Sequence, residues 1–266
     1  MSTDTAALGV TPRRVVLSEW TKLRTLRSTV FSLLAAVAFL IGFSVLVPVV
    51  VVTHWPPDNA RDALTFDPVG ASLVGGFFAQ LAVGVLGVLI VTGEYATGMI
   101  RATLSAVPKR LPVLWAKTLV YGVTCLVLMG LALLAAFLIG QTILSSEGID
   151  ASLGDKGVPR VLVGTALYLT GIGMLGLALG ALLRNTAGSI TALFGLLFVV
   201  PTVVHFLPAS WSDAIAKYLP SNAGTVITSL QPGSESLGPW TGLLVFFLYT
   251  AVALGVAAFA LTRRDA

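Results

Sequence analysis

Cysteine occurs once in this chain, as Cys125, so neither an internal disulfide nor a cluster of thiolate metal ligands can form. Histidine occurs twice, as His54 and His205, and neither belongs to an HExxH zinc motif. Charged residues make up only 11% of the chain, against 56% hydrophobic and a mean hydropathy of +0.94, which excludes an ordinary soluble domain. No GxxxxGK(S/T) phosphate-binding loop is present, so the chain carries no such means of hydrolysing ATP and is not expected to be an enzyme. The long uncharged stretches hold no aspartate or glutamate, which argues against an intramembrane enzyme and against an ion-coupled carrier. Gly171, Gly173 and Gly176 match GxGxxG by count, yet no strand precedes them and no acidic partner follows. Close helix packing explains them better, as it does the four-residue spacing of Gly176 and Gly180.

What the chain has in abundance is apolar sequence in separate blocks. These predict an all-α membrane protein with six transmembrane helices at about 29–53, 68–92, 113–144, 161–183, 187–207 and 239–262. Each can cross roughly 30 Å of hydrocarbon. The fourth and fifth are divided only by Arg184, Asn185 and Thr186, a polar break that predicts a tight hairpin. Residues 1–28 precede the spans and 263–266 follow them. The first block is preceded by basic residues, but it overshoots the apolar core of a signal peptide and shows no small-residue cleavage site, so it is expected to be retained.

Lysine and arginine divide unevenly between the two sides of such a bundle. The side holding residues 1–28 carries twelve of the sixteen, which predicts that both termini lie in the cytoplasm. Eight of the twelve acids fall on the other side, a supporting trend. Ahead of the first span, Val16, Trp20 and Leu23 share one helical face while Arg14, Lys22 and Arg24 occupy others, the pattern of an interfacial helix with Trp20, Lys22, Arg24 and Arg27 toward the membrane surface. A basic tail with a single tryptophan anchor is the plainer alternative. Between the second and third spans, Met99, Ile100, Thr103, Leu104 and Val107 recur at helical spacing with Arg101 on another face, and Pro108 ends the run. This predicts a short amphipathic helix. Glu94, at the exit of the second span, is expected to pair with Arg101, Lys109 or Arg110. A basic loop that binds lipid headgroups would carry the same residues.

Three segments carry a resemblance to a known family: SEWTKLRTLRST at Ser18–Thr29, GEYATGMIRATL at Gly93–Leu104 and YLPSNAG at Tyr218–Gly224. Together with the six-span layout they resemble the permease subunits of type-2 ATP-binding-cassette transporters, especially actinobacterial ones. The resemblance implies a dimeric permease in a bacterial plasma membrane, an interfacial helix before the first span, and a coupling helix after the second that docks on a separate ATPase subunit. Glu94, Tyr95, Gly98, Met99, Ile100, Arg101, Thr103 and Leu104 would lie at or near that contact. No cofactor would bind this chain itself; magnesium and ATP would sit on the partner ATPase. The second permease could be another copy or a relative, and nucleic acid is not an expected partner. Re-entrant helices after the fifth span would cap an exit path, although Trp211, Tyr218 and Trp240 read equally as interfacial anchors.

Ser44, Ser72, Gln80, Thr124, Gln141 and Thr170 scatter hydroxyls and amides through the spans without fixed charge, which suits an apolar or amphipathic cargo. Export is inherited from the resemblance. A non-transporting membrane scaffold or assembly protein, or a carrier of another class, is the competing reading.

Overall fold

Polar breaks in the apolar sequence separate helices, and helices are the only regular elements among residues 11–106 and 110–263, which this computed structural model describes. Helix α1 (Pro12–Thr25) opens on a proline, whose missing N–H costs nothing in a first turn, and ends where Leu26 turns extended. The first span, α2 (Arg27–Thr53), follows at once. After the short α3 (Ala60–Thr65), Asp67 caps α4 (Pro68–Leu73) by accepting from the Val69 N–H at 3.0 Å. α4 continues across a break at Val74 into α5 (Gly75–Ala96), and the two form the second span. Then come α6 (Met99–Ala106), α7 (Arg110–Leu144) with a tight turn at Ser145–Glu147, and α8 (Val158–Leu183). The fifth span joins α9 (Thr186–Phe194), a wide π turn at Gly195–Val199 and α10 (Val200–His205). Pro201, which cannot donate to the turn below it, sits just beyond that widening. Two short helices, α11 (Ala209–Ala216) and α12 (Pro220–Thr225), lead to the last span, α13 (Pro239–Arg263).

Among the described residues, six stretches are long and apolar enough to cross a membrane: Arg27–Thr53, Pro68–Ala96, Arg110–Glu147, Val158–Leu183, Thr186–His205 and Pro239–Arg263. The chain is therefore an all-α, multi-pass membrane protein. Several helices run beyond the bounds drawn from hydropathy. Arg27 is the first residue of a span instead of the last of the interfacial helix, and Glu94 lies inside the last turn of the second span. Arg110 lies within the third, and Arg160 within the fourth. Val107 and Pro108, expected to close the short amphipathic helix, Lys109, an expected partner of Glu94, and 264–266 of the expected tail lie outside the described residues.

Helix α8 is the centre of the bundle, and its four expected packing glycines meet three different neighbours. A Cβ at Gly176 would run into the backbone carbonyl of Gly84, and one at Gly180 would stand 2.9 Å from the carbonyl of Val88, both on α5. At Gly171 it would meet the Phe246 ring of α13 at 2.5 Å, and at Gly173 the Tyr121 ring of α7. The reverse also holds, since a Cβ on Gly87 of α5 would strike the Gly173 carbonyl. In lipid no hydrophobic gain draws helices together, so such backbone proximity is what packs α5 on α8.

Candidate functional site: a buried charge cluster at one end of the bundle

The end of the bundle that carries α1 and α6 holds four charged side chains that converge from three helices. α1 lies along the start of α7, with Val15 packed on Val113 and Ala116. One turn further along the same face comes Glu19, then Lys22 and Leu23. The buried face of α1 is thus Val15, Glu19 and Leu23, whereas Trp20 is exposed; the expected face of Val16, Trp20 and Leu23 is rotated, because the electrostatic partners of Glu19 lie inward. Arg24 and Arg27 are exposed as well.

The geometry is a closed ring. Lys22 Nζ donates to Glu19 Oε1 at 2.8 Å and to Glu94 Oε1 at 2.9 Å. Lys117 Nζ donates to Glu19 Oε2 at 2.5 Å and to the same Glu94 oxygen at 2.9 Å. Thr103 of α6 joins at its edge, accepting from Lys22 at 3.2 Å. Two carboxylates and two ammonium groups cancel in charge, which is the condition for keeping such groups out of water. The side chains of Glu19 and Glu94 are each 3% exposed and that of Lys117 6%, while Lys22, at 23%, reaches the surface. Burial draws the Lys22 pKa down, but the hydrogen bonds and charges of Glu19 and Glu94 outweigh it and hold the group above its ordinary value. Glu94 Oε2 has no hydrogen-bond partner among the described residues, and a cavity of about 20 Å³, room for a single water, adjoins the ring.

Glu94 pairs with Lys22 and Lys117, neither of which was among the partners expected from proximity in sequence; of those, Lys109 and the side chain of Arg101 lie outside the described residues. Buried carboxylates do exist in this protein, at the end of the bundle and each neutralised. Neither Glu19 nor Lys117 was among the expected site residues. The signal for both was present: a lysine in the third turn of an apolar helix demands a partner, and Glu19 is the acid spaced three residues from Lys22.

The remaining residues of the predicted contact divide. Tyr95, half-buried, lies under the guanidinium of Arg184, 5.2 Å from ring centroid, so the ends of the second and fourth spans are clasped together. Its hydroxyl is buried without a partner among the described residues. Gly98, at φ +71, makes the left-handed turn that stops α5 and starts α6, a conformation glycine adopts without strain. Met99 is half-buried. Ile100 is buried, and like Glu94 it is directed into the chain itself and offers no surface to another subunit. Arg101 and Leu104 belong to α6, but their side chains lie outside the described set. Among the described residues no three His, Cys, Asp or Glu side chains are grouped to hold a metal.

No protein-family model and no curated protein matches the chain. The chemistry at this end is accordingly read from its geometry: a charge-neutral, largely buried tie that fixes a surface helix (α1) and a short loop helix (α6) to the ends of two spans.

Proposed function

We propose that the chain is the membrane permease subunit of an ATP-driven exporter of the type-2 ATP-binding-cassette class, with the α1–α6 end in the cytoplasm and docked on a separate ATPase. The observation that carries the reading is the four-charge ring. A permease without a nucleotide site must receive motion from outside itself, and the ring joins α6, the helix that the family resemblance assigns to the ATPase contact, to α1 and the second and third spans. Closure of the ATPase, acting on the exposed side of α6, would then tilt these elements together. A second permease, identical or related, completes the path in this reading, and ATP with magnesium stays on the partner.

The test is purification of the tagged full chain from its native host in mild detergent, followed by mass spectrometry of what accompanies it. Recovery of an ATP-binding-cassette ATPase, reduced at least about tenfold by Met99→Asp while membrane insertion is unchanged, is the expected result. Recovery of the chain alone, where known permease complexes survive the same preparation, would sink the proposal in favour of a membrane scaffold or a carrier of another class.

A further inference from the structure

Between α5, α8 and the short helix α12 lies a cavity of about 240 Å³ that the charge ring does not touch. It forms where the second span breaks at Val74 and where Gly76 presents no side chain, and Phe77 and Leu169 contribute apolar wall. Besides three threonines, Thr165, Thr225 and Thr228, two polar side chains line it, Gln80 and Tyr168, which are 6% and 4% exposed. Gln80 is twelve residues beyond Pro68, about 18 Å along the span at 1.5 Å per residue, so its amide lies deep among apolar helices. A primary amide at that depth is costly unless its hydrogen bonds are made.

Only part of that requirement is met within the chain. Tyr168 Oη donates to Gln80 Oε1 at 3.2 Å, and among the described residues this is the sole hydrogen bond of the Gln80 side chain. Both amide N–H donors are left for whatever fills the cavity. The hydroxyls of Thr165 and Thr225 are spent on their own helices, donating to the carbonyls of Val161 at 2.7 Å and Ser221 at 2.9 Å. No lining residue is charged, so an ion would enter without a counter-charge. Water alone fits poorly, because most of the wall it would face is apolar.

We infer that this cavity is a binding site for an uncharged amphipathic molecule bearing a carbonyl oxygen, which accepts from the Gln80 amide while its apolar body packs on Phe77 and Leu169. That the occupant is cargo rests on the permease reading; its binding does not.

The test uses the full chain in lipid nanodiscs, without any ATPase, irradiated in the presence of benzophenone, an uncharged aryl ketone that attaches to neighbouring C–H bonds. Attachment mapped by mass spectrometry should be saturable and concentrated at 70–80 and 165–169. Methyl benzoate should displace it about five- to tenfold better than ethylbenzene, which has the apolar body without the acceptor, and benzoate should not displace it. Gln80→Leu should lower saturable attachment by a similar factor. Attachment spread evenly over the lipid-facing spans, or equal displacement by methyl benzoate and ethylbenzene, would overturn the inference, and the displacement comparison requires no variant to fold. Because no nucleotide or ATPase enters the assay, its failure is distinct from failure to recover an ATPase partner.

Discussion

Replacing Lys117 with methionine keeps the length of the side chain and removes its charge from the ring. Glu19 Oε2 and Glu94 would each lose a donor, and the buried group would change from neutral to a net charge of −1, with Lys22 alone serving two carboxylates. Breaking a buried pair by removing one partner costs about 3–5 kcal/mol, chiefly through the charge left behind. At about 2–4 °C per kcal/mol for a chain of this size, the apparent Tm in nanodiscs should fall by about 6–20 °C. The decisive control is Lys117→Met combined with Glu19→Gln, which restores neutrality while leaving Lys22 bonded to Glu94. If charge balance is what the ring maintains, the double variant should recover at least half of the loss, a non-additive result in a double-mutant cycle. The assay is thermal unfolding followed by intrinsic fluorescence at neutral pH. A Lys117→Met variant within about 2 °C of the unaltered chain, or a double variant no better than the single, would refute the reasoning.

Other outcomes follow from the same structure. Lys22 has its pKa raised on folding, so its contribution is fully present below its ordinary value of 10.5 and is lost as pH climbs through the higher folded value. The unaltered chain should therefore lose stability above about pH 10.5, and Lys22→Met should show less of that alkaline decline in a pH series of unfolding midpoints. Tyr95→Phe keeps the ring beneath Arg184 and removes a buried hydroxyl without a partner, so it should stabilise by up to about 1 kcal/mol, whereas Tyr95→Leu should destabilise by about 0.5–2 kcal/mol. Gly176→Leu drives a side chain into the Gly84 backbone and should abolish monodisperse elution in detergent; Gly42→Ala, with open space around it in an exposed helical position, should be neutral or stabilising by up to about 1 kcal/mol.

The membrane class and the order of the spans were legible because an apolar run of twenty or more residues has one stable destination. Their ends were misjudged at the α1–α6 end because hydropathy stops at the first charge, while the helices continue wherever a charge finds a partner inside the bundle. Glu94 extends the second span in that way, and Arg110, which donates to the Leu261 carbonyl at 3.2 Å, extends the third. The need of Lys117 and Glu19 for partners was legible, but their pairing in one ring was not, because two of its four charge pairs join residues 72 and 98 positions apart and local spacing favoured cations close to Glu94 in sequence. Helical spacing picked out the packing role of Gly176 and Gly180, yet it could not say that Gly171 would face Phe246, since that depends on where α13 returns. The cavity at Gln80 depends on the break at Val74, and the hydrophobic pattern runs through that break without a change of composition.

The contact between α5 and α8 is a seam of bare backbone, with Gly84 and Gly87 set against Gly173 and Gly176. Side chains that interdigitate resist sliding but can follow a partner a short way as it withdraws. A glycine seam has nothing to extend, so separating the two helices would leave a void that no rotamer could fill. Motion along the seam meets few obstacles by comparison. If the bundle rearranges, these two helices should travel as a rail and its runner, displaced lengthwise or turned about a shared line, and any widening of the protein must occur at its outer helices.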